Sequence, residues 1–320
     1  MAITSHHDQQ RRRLVIFLAG TFLVTWTAWW TLAALTGAGA ISVDSLAGFA
    51  LFVLGGSAPT WMAYLAVSRT PGAGSLQAFN ARVFRLRVPL VAFVVALAGV
   101  PVLGLLARLV TSWFTSVDWP ADTLATLGRY LTVLIVSIVL GGIEEVGWRG
   151  VLQPAVTARR RAAATPVGTP ASPPSSATQP AGPADADADD VAGGDGPERL
   201  AVSGLAVQHL GVVNLGIAVV WAVWHLPLFW VVGDPRQGAS FAIYTVAAFG
   251  YSAIMTALYA RTESVALCVL FHAGINAAST VGWAFATAEQ PGFAVQAAVL
   301  VVAGVAVLWL TQRRLQGPGG

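Results

Sequence analysis

Eight runs of about 20 mainly apolar residues, each long enough to cross a bilayer as a helix, constrain this chain more than anything else in it. They cover Leu14–Leu35, Leu46–Val67, Val88–Val110, Tyr130–Val151, Leu210–Val232, Phe241–Tyr259, Val265–Phe285 and Phe293–Leu310. None shows the two-residue alternation of a membrane barrel strand. The predicted fold class is therefore all-α, a polytopic membrane helix bundle of about eight transmembrane helices. Composition agrees, since 56% of the 320 residues are hydrophobic and 10% are charged. A typical soluble domain carries about 25% charged residues, so a water-dispersed fold is excluded. The single cysteine, Cys268, lies inside an apolar run, which excludes a disulfide scaffold. The first run follows Arg11–Arg13 but is longer than the core of a cleaved signal, so it reads as a retained span.

All 18 basic residues are arginine. They sit between apolar runs without forming a patch, so no nucleic-acid partner is expected. With a cytoplasmic N-terminus, the inner segments hold Arg11, Arg12, Arg13, Arg69, Arg82, Arg85, Arg87, Arg159, Arg160, Arg161, Arg199, Arg261, Arg313 and Arg314. The outer loops and span ends hold only Arg108, Arg129 and Arg236, and Arg149 falls within the fourth run. The positive-inside rule then places both termini in the cytoplasm. The alanine- and arginine-rich, lysine-free composition fits GC-rich coding, and the expected location is a bacterial cytoplasmic membrane.

The chain divides into an N-terminal three-helix membrane region (1–128), a helix carrying a charged motif (129–156), a cytoplasmic loop (157–204), the remaining membrane helices (205–311) and a short tail (312–320). Between Ala162 and Pro197 nearly every residue is Ala, Pro, Ser, Thr, Gly or Asp, with no aromatic. Such a segment buries too little apolar surface to offset chain entropy, so disorder is expected.

Ionisable groups at membrane depth are costly and point to function. Here they are Glu144, Glu145 and Arg149 on the fourth run, His225 on the fifth, and His272, with Asn276 beside it, on the seventh. Glu145 and Arg149 are four apart and able to pair on one helix face, which reads first as a structural ion pair. Glu144 points about 100° away and has no partner at favourable spacing. Trp221 stands four before His225 and reads as a packing residue beside its ring. His272 and Asn276 repeat the spacing. Each residue alone has a bland reading, a packed histidine or an interhelical amide. Together, three helices would bring a carboxylate, two imidazoles and an amide to one cavity.

The run Glu144-Glu145-Val146-Gly147-Trp148-Arg149 resembles the E-E-x-x-x-R motif of the CAAX-protease and bacteriocin-processing (CPBP, or Abi) intramembrane peptidases. Trp221-Ala222-Val223-Trp224-His225-Leu226-Pro227 is similar to that family's F-x-x-x-H motif, with tryptophan in place of phenylalanine. His272-Ala273-Gly274-Ile275-Asn276 matches its H-x-x-x-N motif. The three stand in the family's order on separate runs, and the resemblance covers roughly residues 129–285.

The resemblance implies hydrolysis of peptide bonds in membrane-bound protein or peptide substrates, as in the endopeptidases that trim prenylated C-termini. By carry-over, Glu144 with His225 activates water, His272 and Asn276 stabilise the oxyanion, and Glu145, Arg149 and Trp221 support them. It also implies a metal-independent glutamate mechanism with no cofactor. The alternative is zinc held by Glu144, His225 and His272, although no H-E-x-x-H helix is present. A non-catalytic immunity or scaffold protein of the same fold is the competing function. A proton-coupled transporter would need further polar residues in the first three runs, which are apolar. Counting residues from the run ends puts Glu144 and His272 in the cytoplasmic half, so access from the arginine-rich side is expected.

Overall fold

In a computed structural model of the chain, residues 6–120, 122–164 and 210–316 are described. The first helices are α1 (His6–Gly37), α2 (Leu46–Ser68), a short amphipathic α3 (Leu76–Val83), α4 (Leu90–Thr111) and α5 (Thr123–Leu140). A single turn α6 (Glu145–Gly147) and α7 (Gln153–Ala164) follow. The remainder is α8 (Leu210–Trp224), α9 (Phe241–Thr262), α10 (Val265–Thr280) and α11 (Gly292–Gln316). No strand occurs among the described residues, and seven of the helices are long and apolar enough to cross a membrane. The all-α polytopic bundle is thus observed.

Local chemistry explains the helix starts. Ser45, Asp122, Ser240 and Ser264 each stand just before a helix, and their side chains accept the free backbone N–H of Gly48, Ala125, Ile243 and Leu267. Such caps satisfy donors that a helix leaves unpaired. On α5 the buried stripe is Thr126, Tyr130, Leu134 and Ser137, while Leu127, Leu131, Ile135 and Val139 face outward. The three- and four-residue spacing of the two stripes is the helical period, with apolar residues left outward for lipid. α1 packs along α2 and α9 along α11, while α10 lies at the centre between α4 and α5.

The predicted spans differ from the structure in three places, each close to the site. The fourth run is not one helix. α5 stops at Leu140, Gly141 departs from helical geometry, and a 3₁₀ turn (Gly142–Glu144), α6 and a π-helical turn (Trp148–Leu152) precede α7. Hydropathy runs smoothly through a Gly-Gly pair, so the break leaves no trace in an apolar window. The fifth run ends as a helix at Trp224 and continues as a 3₁₀ segment, Leu226–Trp230. Pro227 has no N–H to extend the α ladder. The seventh run is helical for only 16 residues. α7 also continues to Ala164, into the segment assigned to the loop, and the rest of that loop lies outside the described residues.

The bundle has two distinct ends. At one, Val232 donates its N–H to Thr36, a Cβ on Gly233 would stand 3.0 Å from Val43, and Arg108 pairs with Glu289. This gathers the connections 38–45, 112–120, 231–240 and 281–291. At the other end, Arg13 bonds Thr70, Ala73 and Gly74, and Ser264 bonds the carbonyl of Arg85. That end carries the clustered arginines of the described residues.

Candidate active site

The site begins at the break in the fourth run. Without side chains at Gly141 and Gly142, this segment presses against α10, where a Cβ on Gly142 would stand 2.6 Å from the carbonyl oxygen of Val269. The Thr60 hydroxyl on α2 donates to the carbonyl of Ile143 at 2.6 Å, satisfying backbone that the break frees. Gly147 lets α6 approach α2 just as closely, since a Cβ there would meet the carbonyl oxygen of Pro59 at 2.7 Å. Glu144 and Glu145 are therefore carried where a 3₁₀ turn meets the single turn of α6, wedged between α2 and α10. π-helical turns of the kind that follows are frequent at functional sites.

Glu145 is fully buried, and Arg149 lies 3.5 Å from it on the same face. Arg149 also donates to the hydroxyl of Ser252 on α9 at 3.1 Å. The second oxygen of Glu145 is 2.8 Å from Nδ1 of His272. A proton on Nδ1 is shared with that carboxylate, which turns Nε2 toward Glu144, 4.0 Å away. His272 is thereby oriented by one glutamate and faces the other, as carboxylates commonly orient a functional imidazole.

Trp221 does more than pack. Its indole Nε1–H donates to Oε2 of Glu144 at 3.1 Å. Its ring stands edge-on to both His225 and His272, with centroids 5.4 Å apart in each case. His225 sits at the junction between α8 and the 3₁₀ segment, and its Nδ1 lies 2.9 Å from the carbonyl of Trp221. A carbonyl can only accept, so Nδ1 carries the proton and Nε2 keeps its lone pair. Asn276, one turn beyond His272, lies against Gly141, where an added Cβ would collide with its amide nitrogen.

A cavity of about 520 Å³ joins these groups. Glu144, Trp221, His225, His272 and Asn276 all line it, so the structure brings together every residue proposed for direct chemistry. Glu145 and Arg149 lie behind it. The expected opening at the arginine-rich end is not found. The rest of the wall rises through Ser279 and Thr280 to the connections around Asp44, Arg236 and Thr287, at the opposite end. Depth alone did not report the side of the opening, because α10 stops at Thr280 and the last two residues of the helix line the cavity.

Sequence reasoning missed a second polar group on the wall. Arg236 grips the Asp234 carboxylate with Nε and Nη2 at 2.8 and 3.0 Å, and the Tyr244 hydroxyl lies within its electrostatic reach. Burial works against the Arg236 cation, but Asp234 and Tyr244 more than offset it, so the guanidinium titrates above its ordinary value. The Tyr244 ring lies 5.6 Å from that of His225. The close Asp-Pro-Arg spacing was the available signal for the pair. Tyr244 carried none, because an aromatic in an apolar span reads as packing.

Among the described residues, no group of three or more His, Cys, Asp and Glu side chains is placed to hold a metal ion.

No curated protein matches the chain. Residues 199–278, which contain the second and third motifs, match the family model of the Rce1-like type II CAAX prenyl endopeptidases, and this part of the chain accordingly groups with the CPBP and CAAX protease family.

Proposed function

We propose that the protein is an intramembrane endopeptidase that hydrolyses peptide bonds in membrane-associated protein or peptide substrates, with Glu144 as the general base. The observation that carries this reading is the placement of a buried, singly hydrogen-bonded carboxylate on the wall of a cavity that also presents two imidazoles. A water in the cavity would give one proton to the free oxygen of Glu144 while bonding the lone pair on Nε2 of His225. Its oxygen attacks the scissile carbonyl, and the proton held by Glu144 passes to the leaving amine. Protonated His272, steadied by Glu145, and the Asn276 amide donate to the tetrahedral oxyanion. Donors of this kind are worth about 3–4 kcal/mol each. Trp221 holds Glu144 in one rotamer, and Arg149 pairs with Glu145 without entering the cavity.

The test is a comparison of the wild type with Glu144→Gln in liposomes containing a membrane-protein extract, read by sequencing new chain termini. Termini that require Glu144 support the peptidase. Their complete absence would favour the immunity or scaffold reading.

A further inference from the structure

We infer that the substrate reaches this cavity from the arginine-poor end of the bundle, which is the exoplasmic face, and that the peptides cleaved are segments presented on that side of the membrane. This rests on the peptidase reading for the cleavage and on the fold alone for the access.

Three observations carry it. The cavity wall runs from Glu144 to Val43, Asp44, Gly233, Arg236, Ala286 and Thr287, all on connections at one end. No wall residue comes from the connection 69–89, from α7 or from the α9–α10 turn, which make up the other end. A second cavity of about 590 Å³ does lie there, lined by Arg13, Arg82, Gln153 and Tyr259, but by none of Glu144, Trp221, His225, His272 or Asn276.

The two ends differ sharply in charge. Arg11, Arg12, Arg13, Arg69, Arg82, Arg85, Arg87, Arg159, Arg160, Arg261, Arg313 and Arg314 are all at the end away from the mouth. The mouth end has Arg108, Arg129 and Arg236, and two of these are neutralised by Glu289 and Asp234. Arginine near span ends is retained in the cytoplasm during insertion. The mouth therefore faces outward. A cytosolic C-terminus would have to cross the bundle to reach Glu144, whereas an exported leader or an exoplasmic juxtamembrane segment meets the cavity directly.

Cysteine labelling tests the access without any substrate, because the only native cysteine, Cys268, is fully buried. Asp44→Cys at the mouth, Ser279→Cys on the wall and Leu86→Cys at the far end are treated with a membrane-impermeant maleimide in intact bacterial cells. Asp44→Cys and Ser279→Cys should label before permeabilisation, and Leu86→Cys only after it. Thr287→Cys and Phe84→Cys replace any variant that fails to accumulate in the membrane. The reverse pattern, labelling of both ends in intact cells, or a wall cysteine reached only after permeabilisation overturns the inference. Glu144-dependent termini, where they arise, should map to exoplasmic segments, and cytosolic termini would overturn the substrate assignment. If no such termini arise, the peptidase reading fails while the labelling still decides the access.

Discussion

Trp221 and Glu144, 77 positions apart, meet through one hydrogen bond, the indole Nε1–H donating to Oε2 at 3.1 Å. The same indole is edge-on to both imidazoles of the site. One side chain thus sets the carboxylate rotamer and separates the two rings. Trp221→Phe keeps an aromatic body and removes the donor. A hydrogen bond to a charged group is worth about 1.5–3 kcal/mol, so turnover should fall roughly 10- to 100-fold. The unfolding midpoint in detergent should barely move. Loss of both together would instead make Trp221 a packing residue.

Arg149 has the opposite profile. Its removal takes the arginine partner from one oxygen of the fully buried Glu145 and leaves it only His272. Breaking a buried pair in this way costs about 3–5 kcal/mol. Arg149→Met should lower the unfolding midpoint strongly, and the double variant Glu145→Gln with Arg149→Met should recover part of the loss. Equal midpoints for the single and double variants would show that the pair is not coupled.

Gly141 sets the position of Asn276. Gly141→Ala brings a Cβ into the amide nitrogen, which is the far end of a flexible side chain and able to swing aside. The expected result is a loss of turnover of roughly 10²-fold, the size seen when an oxyanion donor is lost, with little change in stability. Combining it with Asn276→Ala should add nothing further, since both changes remove one interaction. Additive losses would place the effect of Gly141 elsewhere.

The glutamate mechanism predicts that turnover persists after treatment with a zinc chelator and that purified protein carries less than one equivalent of zinc. Activity lost to the chelator and restored by zinc would replace that mechanism with a metal-assisted one.

The span pattern was legible because lipid demands long apolar runs, and the polar residues stood out because charge at that depth is expensive. Glu144, His225, His272 and Asn276 were found in this way, and they line one cavity. The break at Gly141 and Gly142 was not legible, because glycine scarcely alters hydropathy and the deciding contact, of Gly142 with Val269, lies 127 positions away in sequence. The donor role of Trp221 was hidden for a related reason. Its four-residue spacing to His225 reports on their shared helix, whereas its hydrogen bond goes to a different segment. Asp234 and Arg236 were visible only as loop charges, since their burial against Tyr244 follows from how the connection folds over the cavity.

The short central helix has an electrical consequence. At about 1.5 Å per residue, the 16 residues of α10 extend roughly 24 Å, less than the roughly 30 Å of a bilayer's hydrocarbon core. On the outward access inferred above, water in the cavity beside Thr280 would carry the potential of the outer solution down toward Glu144. The transmembrane voltage would then drop mainly across the protein beneath the site, where Glu145, Arg149 and Ser252 are packed. Moving a unit charge through the full drop is worth about 2.3 kcal/mol per 100 mV, so a proton transferred at Glu144 would move at the edge of the membrane's electric field.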